Sequence, residues 1–354
     1  MSGKNSLEAM GIKVIDKVED LIIIEIANQV TTRLINTFTK CNLSYLDIYK
    51  ALLDAPMYYA EIPAELSKAN YNYKDSSLYF AEDIDVFDIN QYVFHECIHK
   101  VQEKRDKKGK ITRMGLCEVN ELSVKATALN EGAIQYITAK SFDLPKRIVN
   151  IYGINIPSRT EYYPILTNII SQLVYLLGEE VLIDSTINGN EEFKIKIIDT
   201  IGETQYNYIE KSLNDILKTK DEILELKKAN IISQMASSKI FENMNKIKAI
   251  YLEMQNVIYS SYFDDMLKRC ENELEVSMTK KKLVGYKEFV GTAQNYNDFE
   301  RYCADFERKS EQKVEKLKHK KSLMVVGNNF IFRIFRRIRQ LFWKEKNEYY
   351  KWKY

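Results

Sequence analysis

Histidine is almost missing from this sequence, with three in 354 residues. Imidazole chemistry therefore has few places to reside, and any two histidines at a meaningful spacing stand out. Cysteine is scarce too: Cys41, Cys97, Cys117, Cys270 and Cys303 are odd in number, scattered and without a C-x-x-C spacing. That pattern argues against a disulfide framework and predicts reduced, mostly structural thiols. No run of 18 apolar residues occurs, so no membrane-spanning helix is expected. Met1 to Glu8 lack the basic start and apolar stretch of a secretion signal, and the expectation is a cytoplasmic protein. The net charge of +2 excludes nucleic-acid binding by the charge of the whole chain. Internal repeats and low-complexity tracts are also absent.

Two of the three histidines stand four apart in Phe94-His95-Glu96-Cys97-Ile98-His99-Lys100. On a helix this spacing stacks His95 and His99 on one face, where both can bind the same ion. Glu96 points about a quarter-turn away, the place for a base that holds a water without ligating the metal. The local sequence predicts that helix over about Ile89 to Gln102. Asp88 is a good N-cap with Gln91 three residues later, and Val93, Phe94, Cys97, Ile98 and Val101 recur at helical spacing.

A catalytic zinc site needs a third protein ligand and an open fourth position for water. Two carboxylates compete. Glu118 follows His99 after 18 intervening residues, and Glu131 lies in Leu129-Asn130-Glu131-Gly132-Ala133, within a helical pattern through Leu122, Ala126, Leu129, Ala133, Ile134 and Ile137. Spacing alone favours Glu118; the flanking residues favour Glu131.

The pairing of His95-Glu96-x-x-His99 with Asn130-Glu131-Gly132 resembles the gluzincin branch of the zinc metallopeptidases, which includes thermolysin-like enzymes and zinc aminopeptidases. The resemblance covers roughly residues 45 to 180 and resides in these two short motifs. It implies a zincin-like core in which Glu131 is the third Zn2+ ligand and Glu96 the general base. It further implies that the strand before the active-site helix, Leu78 to Glu82, forms the cleft rim and pairs with the substrate backbone. A tyrosine or histidine steadies the oxyanion in this family, and Tyr136, Tyr162 and Tyr163 are the candidates. One position departs from the pattern: four residues after the third ligand the family often carries an acid, and here stands Gln135, a neutral acceptor that polarises an imidazole less.

Along the chain, Gly11 to Ile15 predicts a strand, followed by a helix to about residue 39 and a second over Tyr45 to Leu53. Met57 to Ile62 and Ser77 to Glu82 read as strands around the turn-rich Asn70 to Asp75, and Glu103 to Lys110 as a solvated polar loop. Pro164 opens a helix closed by Gly178, and Asn188-Gly189-Asn190 marks a turn. Beyond about Thr204 glycine and proline nearly vanish, and Ile240, Met244, Ile247, Tyr251, Met254 and Ile258 form the seam of a long helix, more consistent with a hairpin than an intermolecular coiled coil.

Residues 321 to 354 hold nine Lys and Arg against two Glu, a local +7 that leaves −5 for the remainder. There Ile331, Ile334, Phe335, Ile338, Leu341 and Phe342 make an apolar stripe beside Arg333, Arg336, Arg337, Arg339 and Lys344, with Trp343, Tyr349, Tyr350, Trp352 and Tyr354 nearby. A basic amphipathic helix of this kind suits an anionic membrane surface, a partner's groove or its own protein, and no specific nucleic acid.

The expected fold class is α+β, mostly α: a zincin-like domain with a small N-terminal mixed sheet over 1–203, a helical region over 204–325 and a basic amphipathic helix over 326–354. The expected function is a zinc metallopeptidase. The alternatives are a zinc hydrolase of non-peptide substrates and a catalytically silent zincin-like scaffold working through its helices and tail.

Overall fold

A computed structural model of the chain describes residues 11–64, 66–85, 88–120, 123–160, 162–228, 234–291 and 296–351; the side chains of 234, 296, 323–333, 335 and 338–351 lie outside that description. The chain divides into two compact units, Met1–Tyr262 with Val290–Asn295, and Phe263–Phe289 with Tyr296–Tyr354.

In the first unit, β1 (Lys13–Lys17) precedes α1 (Asp20–Thr37), which buries Ile23, Ile26, Ala27, Val30 and Leu34 along one face at the spacing an amphipathic helix requires. Ser44 caps α2 (Tyr45–Leu53) by accepting from the Asp47 N–H at 3.2 Å. Then come β2 (Met57–Glu61), β3 (Ala69–Asn72) and β4 (Ser77–Ala81), in a four-stranded sheet ordered β1-β2-β4-β3. β2 and β4 run parallel, and the other two pairs are antiparallel.

This order corrects the expected cleft rim. The segment Leu78 to Glu82 contains β4, which is paired on both sides with Leu78 and Phe80 fully buried, and an interior strand has no free edge to offer. The edge is β3. Its Asn-Tyr-Asn composition reads as a turn because asparagine is disfavoured in strands, a cost that an edge position tolerates.

α3 (Gln91–Val101) carries the histidines. Its cap is Asn90 rather than Asp88: the Asn90 side chain accepts from the Tyr92 and Val93 N–H groups at 2.9 and 3.1 Å, and asparagine caps as well as aspartate. The polar stretch after it is not a plain solvated loop, because Glu103–Arg105 forms β5, joined by β6 (Ile111–Met114), β7 (Cys117–Val119) and β8 (Val124–Lys125) in a second antiparallel sheet. α4 (Thr127–Ser141) is buried nearly all round, with the polar Asn130, Gln135 and Thr138 buried among its apolar residues. It starts later than its apolar pattern predicts, with Ala126 in the left-handed region at φ 60°; Leu122 lies outside the described residues.

A hairpin of β9 (Arg147–Ile151) and β10 (Ile154–Ser158) leads to α5 (Pro164–Leu177), which begins on its proline as expected. α6 (Glu179–Asn188), α7 (Glu192–Ile201), α8 (Glu203–Lys228) and the part of α9 (Gln234–Arg269) up to Tyr262 complete the unit. Because α8 packs on α4 and α7, the boundary drawn at 203 falls inside this unit. The α9 seam is buried at Ile247, Tyr251, Met254 and Ile258.

The second unit contains the end of α9, α10 (Glu273–Val290) and the 56-residue α11 (Tyr296–Lys351) around the aromatic cluster Phe263, Tyr286, Phe299 and Phe306. α11 passes 325 without a break. Ile334, Arg336 and Arg337 on it are exposed, and the rest of the expected apolar and aromatic stripe lies outside the described residues. The chain is thus a mostly α member of the α+β class, and among the described residues no single helix is long and apolar enough to cross a membrane.

Candidate metal centre

Helices α3 and α4 meet side by side, and their meeting brings three donors together. His95 Nε2 lies 3.4 Å from Glu131 Oε2, and His99 Nε2 lies 3.4 Å from Glu131 Oε1. All three donor atoms fall within 4.8 Å of one another. A tetrahedral zinc ion holds nitrogen and oxygen donors at about 2.0–2.1 Å, and two imidazoles with one carboxylate gathered this closely are donors of the kind it takes. The Glu131 side chain is 18% exposed, and the groups within ion-pair distance of it, among the described residues, are the two imidazoles. A largely buried carboxylate converging with two imidazoles can hold a cation. The donor set fits zinc.

The Asn130-Glu131-Gly132 sequence explains the placement. The Asn130 side chain accepts from the Leu116 N–H at 3.0 Å and donates to Gln102 Oε1 at 3.2 Å, fastening α4 to the end of α3. Gly132 lets α5 come close, since a Cβ there would stand 2.9 Å from Ile170 Cγ1. On the other side α8 holds the start of α4, with Glu210 accepting from the Ala126 N–H at 3.0 Å and Asn214 from the Ala128 N–H at 3.1 Å.

Glu96 is anchored by the sheet. The Tyr71 N–H, on edge strand β3, donates to Glu96 Oε2 at 2.8 Å. The Tyr71 ring stacks on His99 with centroids 6.0 Å apart, and its hydroxyl donates to Glu103 Oε2 at 2.8 Å. Glu103 in turn accepts from Ser76 Oγ, Lys100 Nζ and Arg105 Nε. One tyrosine thus ties the edge strand to Glu96, to the His99 ring and to the Glu103 carboxylate.

Burial pushes the Glu96 carboxyl up to about 7, with Glu131 adding to the rise and His95 and the Tyr71 N–H opposing it. Burial also pushes His99 down to about 4, which leaves its nitrogen neutral and free to coordinate. At His95 burial acts the same way but is outweighed by the hydrogen-bonded Glu131, and the net direction is upward. Burial resists ionisation of Glu131, yet His99, His95 and Lys220 hold it well below the usual carboxylate range. His95 Nδ1 is buried without an aligned hydrogen-bond partner, while the buried Gln135 amide stands beside the ring and raises its proton affinity. That is the position expected of a group orienting a ligand imidazole, filled by an amide in place of an acid.

Of the two competing carboxylates, the fold brings Glu131 to the histidines and sends Glu118 elsewhere, paired with Lys194 at 2.6 Å on β7. The three tyrosines also separate. Tyr136 donates to Glu179, and Tyr162 packs edge-on against Tyr92 at 5.5 Å. Tyr163, left-handed at φ 50° just before α5, is the one whose hydroxyl is raised by burial and then by Glu131, Asp221 and Glu96. The Lys220 ammonium lies 4.2 Å from the centre of its ring.

Sequence reasoning missed Tyr71, Glu103 and Lys220, because no short-range pattern links them to the motif. Comparison of the chain with protein-family models, curated proteins and solved structures gives no match.

Proposed function

We propose that the first unit is a zincin-like domain and that the chain is a zinc-dependent peptidase of the gluzincin type. The observation that carries this reading is the convergence of one donor atom each from His95, His99 and Glu131 within 4.8 Å, with Glu96 beside them on an independent anchor. Zinc bound by these residues supplies Lewis acidity that lowers a water's pKa toward neutrality and polarises a carbonyl. Glu96 takes the proton of the attacking water and returns it to the departing amine. Its upward shift toward about 7 suits a group that must do both. The Tyr71 N–H holds Oε2 and leaves Oε1 for the proton. Tyr163 steadies the oxyanion, and the outer edge of β3 pairs with an extended substrate backbone.

The test combines metal analysis and turnover. The parent should hold about one zinc per chain, lost in Glu131→Ala and kept in Glu118→Ala. Glu96→Gln should keep the zinc and lower peptide hydrolysis by at least about 10²-fold; retained turnover with zinc bound would remove Glu96 from its role.

A second reading makes the metal centre structural and places the activity in the second unit. It is favoured by a basic cleft there, lined by Lys268, Arg269, Lys313, Lys316, Lys320 and Lys321 among its residues, on a helix that continues into the basic C-terminal segment. Its ligand would be an anionic membrane surface.

A further inference from the structure

Lys220 has no part in the chemistry above. It rides on α8, the helix whose Glu210 and Asn214 hold the start of α4, so it shares a scaffold with Glu131. Its ammonium rests 4.2 Å from the centre of the Tyr163 ring and is half-buried. Among the described residues no carboxylate forms an ion pair with it and no acceptor hydrogen-bonds it, although the fields of Asp221 and Glu131 both favour its charge against the effect of burial. An aromatic face fixes an ammonium in one place without neutralising it, which leaves the charge available to a ligand.

Its position selects the kind of ligand. α8 packs on α4, and the Tyr163 ring beneath the ammonium lies just before α5, whose Leu166 and Ile170 meet α4 at Gly132, the residue after Glu131. Lys220 therefore stands on the Glu131 side of the centre. A cation there meets a neighbouring group of the substrate, and the natural complement is a carboxylate.

We propose that Lys220 is a specificity-determining residue that binds a substrate carboxylate flanking the scissile bond, with the Tyr163 ring holding its ammonium in place. The proposal rests on the peptidase reading and names a substrate class for it: peptides with a carboxylate next to the cleaved bond, from either a free C-terminus or an Asp or Glu side chain. A half-buried charge with no partner of its own penalises neutral substrates as well as rewarding acidic ones.

The experiment uses the full chain loaded with zinc and two peptide pairs, one differing as C-terminal acid and amide, the other as Asp and Asn beside the scissile bond. Hydrolysis is measured on the parent. Binding is measured by calorimetry on Glu96→Gln protein, with zinc content determined on the same sample. The acid of one pair should bind about 10- to 100-fold more tightly than its neutral twin, and the pair that responds identifies the source of the carboxylate. Lys220→Ala and Lys220→Met should collapse that ratio to near unity, and Lys220→Arg should retain most of it. Equal binding of acid and neutral twins in both pairs, or a ratio that survives Lys220→Ala, overturns the proposal. Hydrolysis without a carboxylate preference overturns it and leaves the peptidase reading standing. A Lys220-dependent preference in binding without hydrolysis by the parent does the reverse.

Discussion

Glu103 illustrates how much of the centre depends on residues that touch no ligand. Its side chain is 3% exposed and receives four hydrogen bonds, from Tyr71, Ser76, Lys100 and Arg105. Burial opposes its ionisation, but the bonds from Ser76, Lys100 and Tyr71 win and its pKa is lowered. A carboxylate depressed in the folded state contributes stability that is present above the unfolded pKa, near 4.3, and lost as pH falls through the folded value. Glu103→Gln should therefore destabilise the protein by about 1–3 kcal/mol at pH 7, and the difference from the parent should shrink below about pH 4. Urea unfolding of both proteins at pH 7 and pH 3.5 measures this, and an equal penalty at the two values would contradict it.

At this same scale the sequence is legible only where chemistry is compressed into a short span. His95, Glu96 and His99 lie within one helical turn, so their spacing alone puts them on one helix. Glu131 needed its neighbours: Asn130 and Gly132 mark it because one fastens α4 to α3 and the other admits α5. Tyr71 and Lys220 reach the centre from other elements, and the Tyr71 N–H that holds Glu96 is one that any residue but proline would supply. Nothing in their local sequence distinguishes them.

Among elements, the closest approach is that of α4 and α5 at Gly132. A methyl group there would stand 2.9 Å from Ile170 Cγ1 and 3.2 Å from the Leu166 carbonyl carbon. Alanine is the better helix former by about 1 kcal/mol, yet overpacking a tight contact costs about 1–3 kcal/mol. Because one of the two obstacles is backbone, the clash should win, and Gly132→Ala should lower stability and weaken zinc binding by displacing Glu131. Ile170→Ala removes the Cγ1 that the new methyl would meet, so the double variant should be more stable than additivity allows. Unfolding free energies of the two single variants and the double settle the sign; a stabilising Gly132→Ala would mean that α5 moves freely. The missed elements have a related physical origin. β3 pairs through its backbone and carries two asparagines that read as a turn, and β5 consists of charged residues that read as a loop, because strand formation there is decided by pairing with β4 and β6 rather than by side-chain pattern.

Across the whole molecule, the charge is divided as the chain is. All three candidate metal ligands lie in the first unit, and the +7 segment lies in the second. The sequence located that contrast but set the boundary too early, because α8 resembles the later helices in composition and yet packs on α4. If the basic segment serves a membrane, its attraction must be electrostatic first, at about 1 kcal/mol for each Lys or Arg near an anionic surface, and screened as the Debye length falls from about 10 Å at 0.1 M salt to about 3 Å at 1 M. The full chain should then pellet with phosphatidylserine-containing vesicles at low salt and not with neutral ones, and removal of residues 326–354 should abolish pelleting while zinc content stays unchanged. Binding to neutral vesicles alone would assign the attraction to apolar side chains instead. Pelleting that survives the deletion would transfer the role to the Lys268, Arg269 and Lys313 cleft, whose cations lie before the cut and keep their charge in the shortened chain.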